Sequence, residues 1–286
     1  MASILDRYGI KEVADVTFYK INEDNGQPDY PVLYLDTLKV STIEQTAETA
    51  DARGGKGNPK LISWDYGKEI NVTIEDALFS SKSMAIMFGN GTVTSATGAD
   101  ITRTAVVRID ENAMLPDYFV ADVWDATVGS KRTKVRMKDT TATPEQILFA
   151  DSGITLVSLT SEAGTVIDAA FTAEDWKTKL DDKYKGQKAF VTYKVKATTK
   201  TITISGDSFP GTYYVTGDTY ARSDVTGSDQ FFQFIIPKAK VTSENTITLE
   251  AEGDPSVFSM NLTVLRPETG EMMKLVQYDL DQPTKG

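Results

Sequence analysis

The sequence predicts a mainly β protein, and three observations carry that reading. Apolar and polar residues alternate with a period of two through most of the chain. Clusters of Gly, Asn, Asp and Ser fall between the alternating runs, where hairpin turns need them. Helix-start signals occur at only three places, around Ser80, Thr143 and Thr172.

The first strands are expected at VTFYKI (16–21), PVLYLD (31–36), TLKVSTIEQT (37–46), KLISWDY (60–66) and KEINVTIEDAL (68–78). In the last of these Ile70, Val72, Ile74 and Asp76 point one way and Asn71, Thr73 and Glu75 the other, so one face is dry and one wet. INEDNGQPDY (21–30) is a hairpin turn, because its acids lack the register of a calcium loop.

Thr46–Pro59 contains Gly-Gly-Lys-Gly, which invites a phosphate-loop reading. Here Lys56 is followed by Gly57, and a strand follows in place of a helix, so no helix N-terminus is available to hold a phosphate. The segment is expected to be a long, mobile, mixed-charge connection between two strands. Connections of that length tend to be functional or to order against a partner.

SSKSMAIMFGNG (80–91) predicts a short helix packed on the preceding sheet, with Ser80 as cap, Met84, Ala85, Met87 and Phe88 on its apolar face, and Gly89 ending it in the left-handed conformation. GNGTVTSATGAD then reads as a connector.

Strands follow at 103–109, 118–125, 131–139, 154–159 and 165–171. Two capped helices are expected among them. One starts at Thr143, with Pro144 first and Gln146 completing the capping box. The other starts at Thr172 with Asp175 three residues on, and Trp176, Leu180 and Tyr184 form its buried stripe. The last third returns to strands at 188–197, 199–206, 211–223, 229–241, 245–253, 256–267 and 271–280. FVTYKVKATTKTITI (190–204) reads as a half-exposed strand whose lysines discourage edge pairing with strangers.

Composition narrows the function. The chain has 286 residues, a net charge of −11, no cysteine and no histidine. Thiolate chemistry, disulfides, Ser-His-Asp catalysis and the commonest metal ligands are excluded. A carboxylate hydrolase needs two acids that meet in space, and no spacing nominates a pair. We therefore assign no catalytic, cofactor-binding or metal residues and expect a protein that is not an enzyme. An acidic balance disfavours gripping nucleic acid. No apolar run reaches the ~20 residues of a membrane helix, and the N-terminus lacks a secretory signal, so synthesis in a cytoplasm is expected. Trp64, Trp124 and Trp176 are scattered and read as core anchors, not as a sugar platform.

Two blocks carry a resemblance. FPGTYYVTGDTYARSDVTGSDQFFQFIIPKAKVTSENTITLEAEGDPSVFSMNLTVL (209–265) resembles the closing segment of the tail tube (major tail) proteins of tailed bacteriophages infecting Firmicutes. ISWDYGKEINVTIEDALFSSKSMAIMFG (62–89) is similar to their strand–strand–helix unit, which there too follows a long β-hairpin loop. The resemblance implies a tail-tube-type β-sandwich or barrel with one flanking helix. Residues 1–91 and 188–286 would form the tube core and 92–187 an inserted β-rich module with short helices, on the outer surface.

It further implies homohexameric rings stacked into a virion conduit for the genome, with DNA passing through without specific binding. Tail terminator, baseplate and sheath or tape-measure proteins would be partners. The hairpin loop 46–59 would reach a neighbouring ring through Asp51, Arg53, Gly54, Gly55, Lys56, Gly57 and Asn58. The inner tube of a tailocin or secretion system, and a non-tube virion or adhesin β-sandwich, stay open as alternatives.

Overall fold

In a computed structural model of the chain the period-two runs become ladders, and the structure describes residues 7–10, 12–89, 91–126, 129, 131–137, 146–242 and 257–278. The chain divides into two compact units, 1–93 with 201–286, and 94–200. In chain order the first unit opens with β1 (Tyr8–Ile10), β2 (Asp15–Ile21), β3 (Pro28–Leu35), β4 (Leu38–Arg53), β5 (Lys60–Asp76) and helix α1 (Ser81–Phe88). The second contains β6 (Thr94–Arg108), β7 (Tyr118–Ala121), β8 (Thr133–Arg136), β9 (Gln146–Leu148), β10 (Ile154–Ser161), β11 (Val166–Asp168), α2 (Ala173–Trp176) and β12 (Lys188–Thr201). The first unit resumes with β13 (Thr212–Ser223), β14 (Asp229–Val241), β15 (Phe258–Val264) and β16 (Lys274–Tyr278).

The mainly β expectation holds, with a flanking helix on the first unit and short helices in the second. The first unit is one nine-stranded sheet in the order β3-β2-β13-β14-β15-β5-β4, with β1 beside β13 and β16 beside β14. Its two end strands, β3 and β4, are separated in the chain only by Asp36 and Thr37. A link that short spans roughly 10 Å, so the sheet must curl back on itself. It stops short of a closed barrel, because β3 and β4 do not pair with each other. The inward row of each strand meets in one core: Val16 and Phe18, Leu33 and Leu35, Val72 and Ile74, Ile236, Leu262, and Ile86 and Met87 from α1. Asp76 ends the row at the core's edge, where its carboxylate accepts from the Thr37 hydroxyl at 2.5 Å and from the Leu78 N–H.

Helix α1 begins as expected, with Ser80 and Ser83 forming a reciprocal capping box. Its end differs. Gly89 is extended at φ −153, and the positive φ of +77 falls on Gly91. The N–H groups of both glycines donate to Ala85 O at 3.0 Å, so the last turn is satisfied without a left-handed Gly89.

The second unit holds a four-stranded sheet, β11-β10-β12-β6, and a three-stranded sheet, β7-β8-β9, around a core that includes Phe119, Leu159, Phe171, Trp176 and Tyr193. Several expectations are revised here. The connector before residue 100 is strand from Thr94 on. The strands expected at 188–197 and 199–206 are one, ending at Thr201, and it lies inside the sheet between β10 and β6, so its lysines do not guard an edge.

Gln146–Leu148 is not helical but pairs parallel with Lys134–Arg136. That ladder, with Ile147 packed on the core, overrides local helix propensity. Thr143 and Pro144 lie outside the described residues, as does the strand expected at 245–253. The Thr172–Asp175 capping box is present. Its helix is one turn long, and beyond it Leu180 reaches the core from irregular chain and Tyr184 from a short 3-10 helix, Asp182–Tyr184.

Candidate functional site, a projecting β-hairpin

The feature that the core does not explain is the hairpin formed by β4 and β5. These strands hold 16 and 17 residues, far beyond the usual 5–6. Near the core they pair Ile43 with Val72 and Gln45 with Ile70, and Ile70, Val72 and Ile74 are buried. The register shifts between Thr46 and Glu48, opposite Gly67, whose φ of +60 suits an extra residue in the ladder. Beyond it every β5 residue from Lys60 to Gly67 is exposed.

The ladder continues through Glu48↔Tyr66, Ala50↔Trp64 and Ala52↔Ile62 to Arg53↔Lys60. The expected mobile segment 46–59 is therefore mostly strand, with only Gly54–Pro59 left as the turn. The low β propensity of TAETADAR hid this; the partner strand, with Leu61, Ile62, Trp64 and Tyr66, supplies what it lacks.

The two faces of the arm differ. Alternation places Ile62, Trp64 and Tyr66 together, at 52, 55 and 53% exposure. Across from Ile62 and Trp64 stand Ala52 and Ala50, side chains too short to cover them. A bare apolar stripe on a projecting strand pair marks an interaction surface.

The opposite face is centred on Asp51. Its carboxylate takes the Ser63 hydroxyl at 2.8 Å, Lys60 Nζ at 2.7 Å and Arg53 at 3.3 Å. The Lys60 contact, then that of Ser63, holds the Asp51 carboxyl below its usual range. At the turn the Gly54 N–H donates to Pro59 O at 3.2 Å and the Asn58 N–H to Gly55 O at 3.1 Å. Gly55, Gly57 and Asn58 have φ of 83, 86 and 50, so the glycines serve a tight turn and not a phosphate.

Of the residues singled out from sequence, Asp51 and Arg53 thus stand in the ladder and Gly54, Gly55, Lys56, Gly57 and Asn58 in the turn. Ile62, Trp64 and Tyr66 were missed as surface residues. The signal was present: their alternation faces a strand with no apolar row of its own. Of the three tryptophans expected in cores, only Trp176 is buried; Trp64 and Trp124 are 55 and 63% exposed.

The arm's outer edge is open as well. Among the described residues β4 pairs only with β5 and β3 only with β2, so the sheet ends in two rows of free backbone groups. Also among the described residues, no cluster of acids is suited to a metal ion and no helix is long and apolar enough to cross a membrane.

A model of the YomU/Tube protein family matches the chain over residues 8–143 and 125–277. No curated protein matches it.

Proposed function

This chain belongs to the YomU/Tube protein family, and from that premise we propose that it is the tail tube protein of a tailed bacteriophage of the kind infecting Firmicutes. Its role is structural and not enzymatic. Copies join into homohexameric rings, and stacked rings form the conduit through which the genome leaves the virion.

The observation that carries this reading is the open sheet, free at β3 and at β4. An exposed β edge is a hazard in a monomer, and closure around a ring removes it. The β4–β5 arm then reaches the neighbouring ring. Its turn, Gly54–Asn58, and the Asp51 and Arg53 cluster make polar contacts there, and Ile62, Trp64 and Tyr66 supply the apolar ones. A net charge of −11 favours an acidic bore along which DNA slides without sticking. Tail terminator, baseplate and tape-measure or sheath proteins complete the tail.

Negative-stain microscopy of the purified chain tests the proposal. Rings or rods are expected as concentration rises, and deletion of 47–58 should abolish rods while leaving a folded subunit. A compact monomer at high concentration, or normal tubes from the deletion variant, overturns it.

A further inference from the structure

We propose that a groove in the second unit binds an acidic carbohydrate, a role separate from assembly. The groove has a volume of about 790 Å³. Arg103 of β6 and Lys196 of β12 line it, with Asp122 and Trp124 from the segment after β7, Lys131 from the approach to β8, and Ser152 and Gly153 from the turn before β10.

Trp124 is the first reason. It stands on this groove with 63% of its surface exposed, whereas Trp176 of the same unit is 1% exposed. A flat, bare indole beside polar groups is a platform for a ligand with one apolar face.

The second reason is how Asp122 is fixed. Its N–H donates to the hydroxyl of buried Tyr193 at 2.9 Å. Its carboxylate bridges the Arg103 guanidinium and Arg132 Nε, the latter at 3.0 Å. Lys196 is held by Asp100 at 2.5 Å. The polar groups around the indole are thus oriented before any ligand arrives, which lowers the ordering cost of binding.

Charge supplies the third reason. With their ion-pair partners counted, Arg103, Arg132, Lys131 and Lys196 stand against Asp122 and Asp100 around the groove, four cations less two acids giving +2, on a chain of net charge −11. That reversal selects an anionic ligand.

A sugar ring meets all three conditions. Its C–H face covers an indole, and its neighbouring hydroxyls match the forked guanidinium and carboxylate groups. A carboxylate on the ring answers the excess positive charge. Single-stranded nucleic acid also stacks on aromatics, but it needs a row of them along a positive track, and this groove offers one indole.

The test uses the full chain carrying Trp64→Phe, so that fluorescence reports the groove without the exposed hairpin indole. Oligogalacturonate, malto-oligosaccharide and a single-stranded oligonucleotide are titrated, with ligand-observed NMR in parallel. Saturable binding of oligogalacturonate is expected, roughly tenfold tighter than the neutral oligomer. Trp124→Ala and Lys196→Glu should each weaken it roughly tenfold with unchanged circular dichroism. The proposal is overturned if neither saccharide binds by about 10 mM, if the neutral one binds equally well, if the variants bind undiminished, or if the oligonucleotide binds more tightly.

Discussion

Gly217 and Phe234 stand directly opposite each other on β13 and β14, and the Phe234 ring occupies the space that a side chain at 217 would need. A Cβ on Gly217 would lie 2.1 Å from two atoms of that ring. Phe234 is 3% exposed and part of the main core, so it cannot swing away into solvent. Gly217→Ala should therefore destabilise the first unit by about 1–3 kcal/mol, the usual cost of overpacking, measured by urea unfolding. Phe234→Leu in the same background should recover part of the loss. An alanine variant as stable as the parent would show that the ring does not fill this site.

Trp176 anchors the second unit in the same sense. It is 1% exposed, it packs on Phe119 and Phe171, and its Nε1–H donates to Pro116 O at 2.7 Å. Trp176→Ala should cost about 3–5 kcal/mol. Trp176→Phe keeps most of the contact but orphans a carbonyl, at about 1–3 kcal/mol. Unfolding followed by near-ultraviolet circular dichroism should rank the variants in that order; a Trp176→Phe variant as stable as the parent would mean that the indole hydrogen bond contributes nothing, and equal losses would mean that the ring contacts kept by Phe do not.

These two sites also show what the sequence could reveal. Alternation located 211–223 and 229–241 to within a residue of β13 and β14, because a period of two is imposed by one buried face. The Thr172 cap was legible because capping is local chemistry. What stayed hidden depends on partners distant in sequence. Gln146–Leu148 is a strand only because β8 lies beside it, and 46–53 is a ladder only because Lys60–Glu69 faces it. The bareness of Trp64 depends on its partner being Ala50, a fact that no single strand contains.

The Asp51 face of the arm carries a pH dependence. The unfolded Asp51 carboxyl titrates near 3.8 and the folded one below it. Stabilisation of the turn is therefore complete above pH 3.8 and is lost as pH falls through the lower folded value. Hydrogen exchange at the Gly54 and Asn58 amides, corrected for intrinsic rates, should be flat from neutral pH down to that region and then accelerate. Asp51→Asn should remove the acid-dependent step and raise exchange at neutral pH. A step that persists in the Asn variant would assign it to another group. Because the cluster is solvent-facing, added salt should weaken the effect.

The apolar face of the same arm separates folding from assembly. Trp64 is 55% exposed and lies opposite Ala50, so it adds little to the subunit alone. Trp64→Asp should lower the stability of the subunit by no more than about 1 kcal/mol, the span of strand propensity. At an interface the change is of another order: a buried aromatic becomes a desolvated charge, and truncations at such anchors cost ~2 kcal/mol or more. Rods that form through the arm should therefore fail to form, while sedimentation still finds a folded subunit. Ala50→Asp, on the partner strand and the same face, should act in the same direction. Lys56→Ala at the turn, where the lost contact is polar and exposed, should shift only the concentration at which rods appear. If Trp64→Asp assembles as readily as the parent, the stripe formed by Ile62, Trp64 and Tyr66 is not the contact surface, and assembly must run through the polar turn of the arm and the β3 and β4 edges.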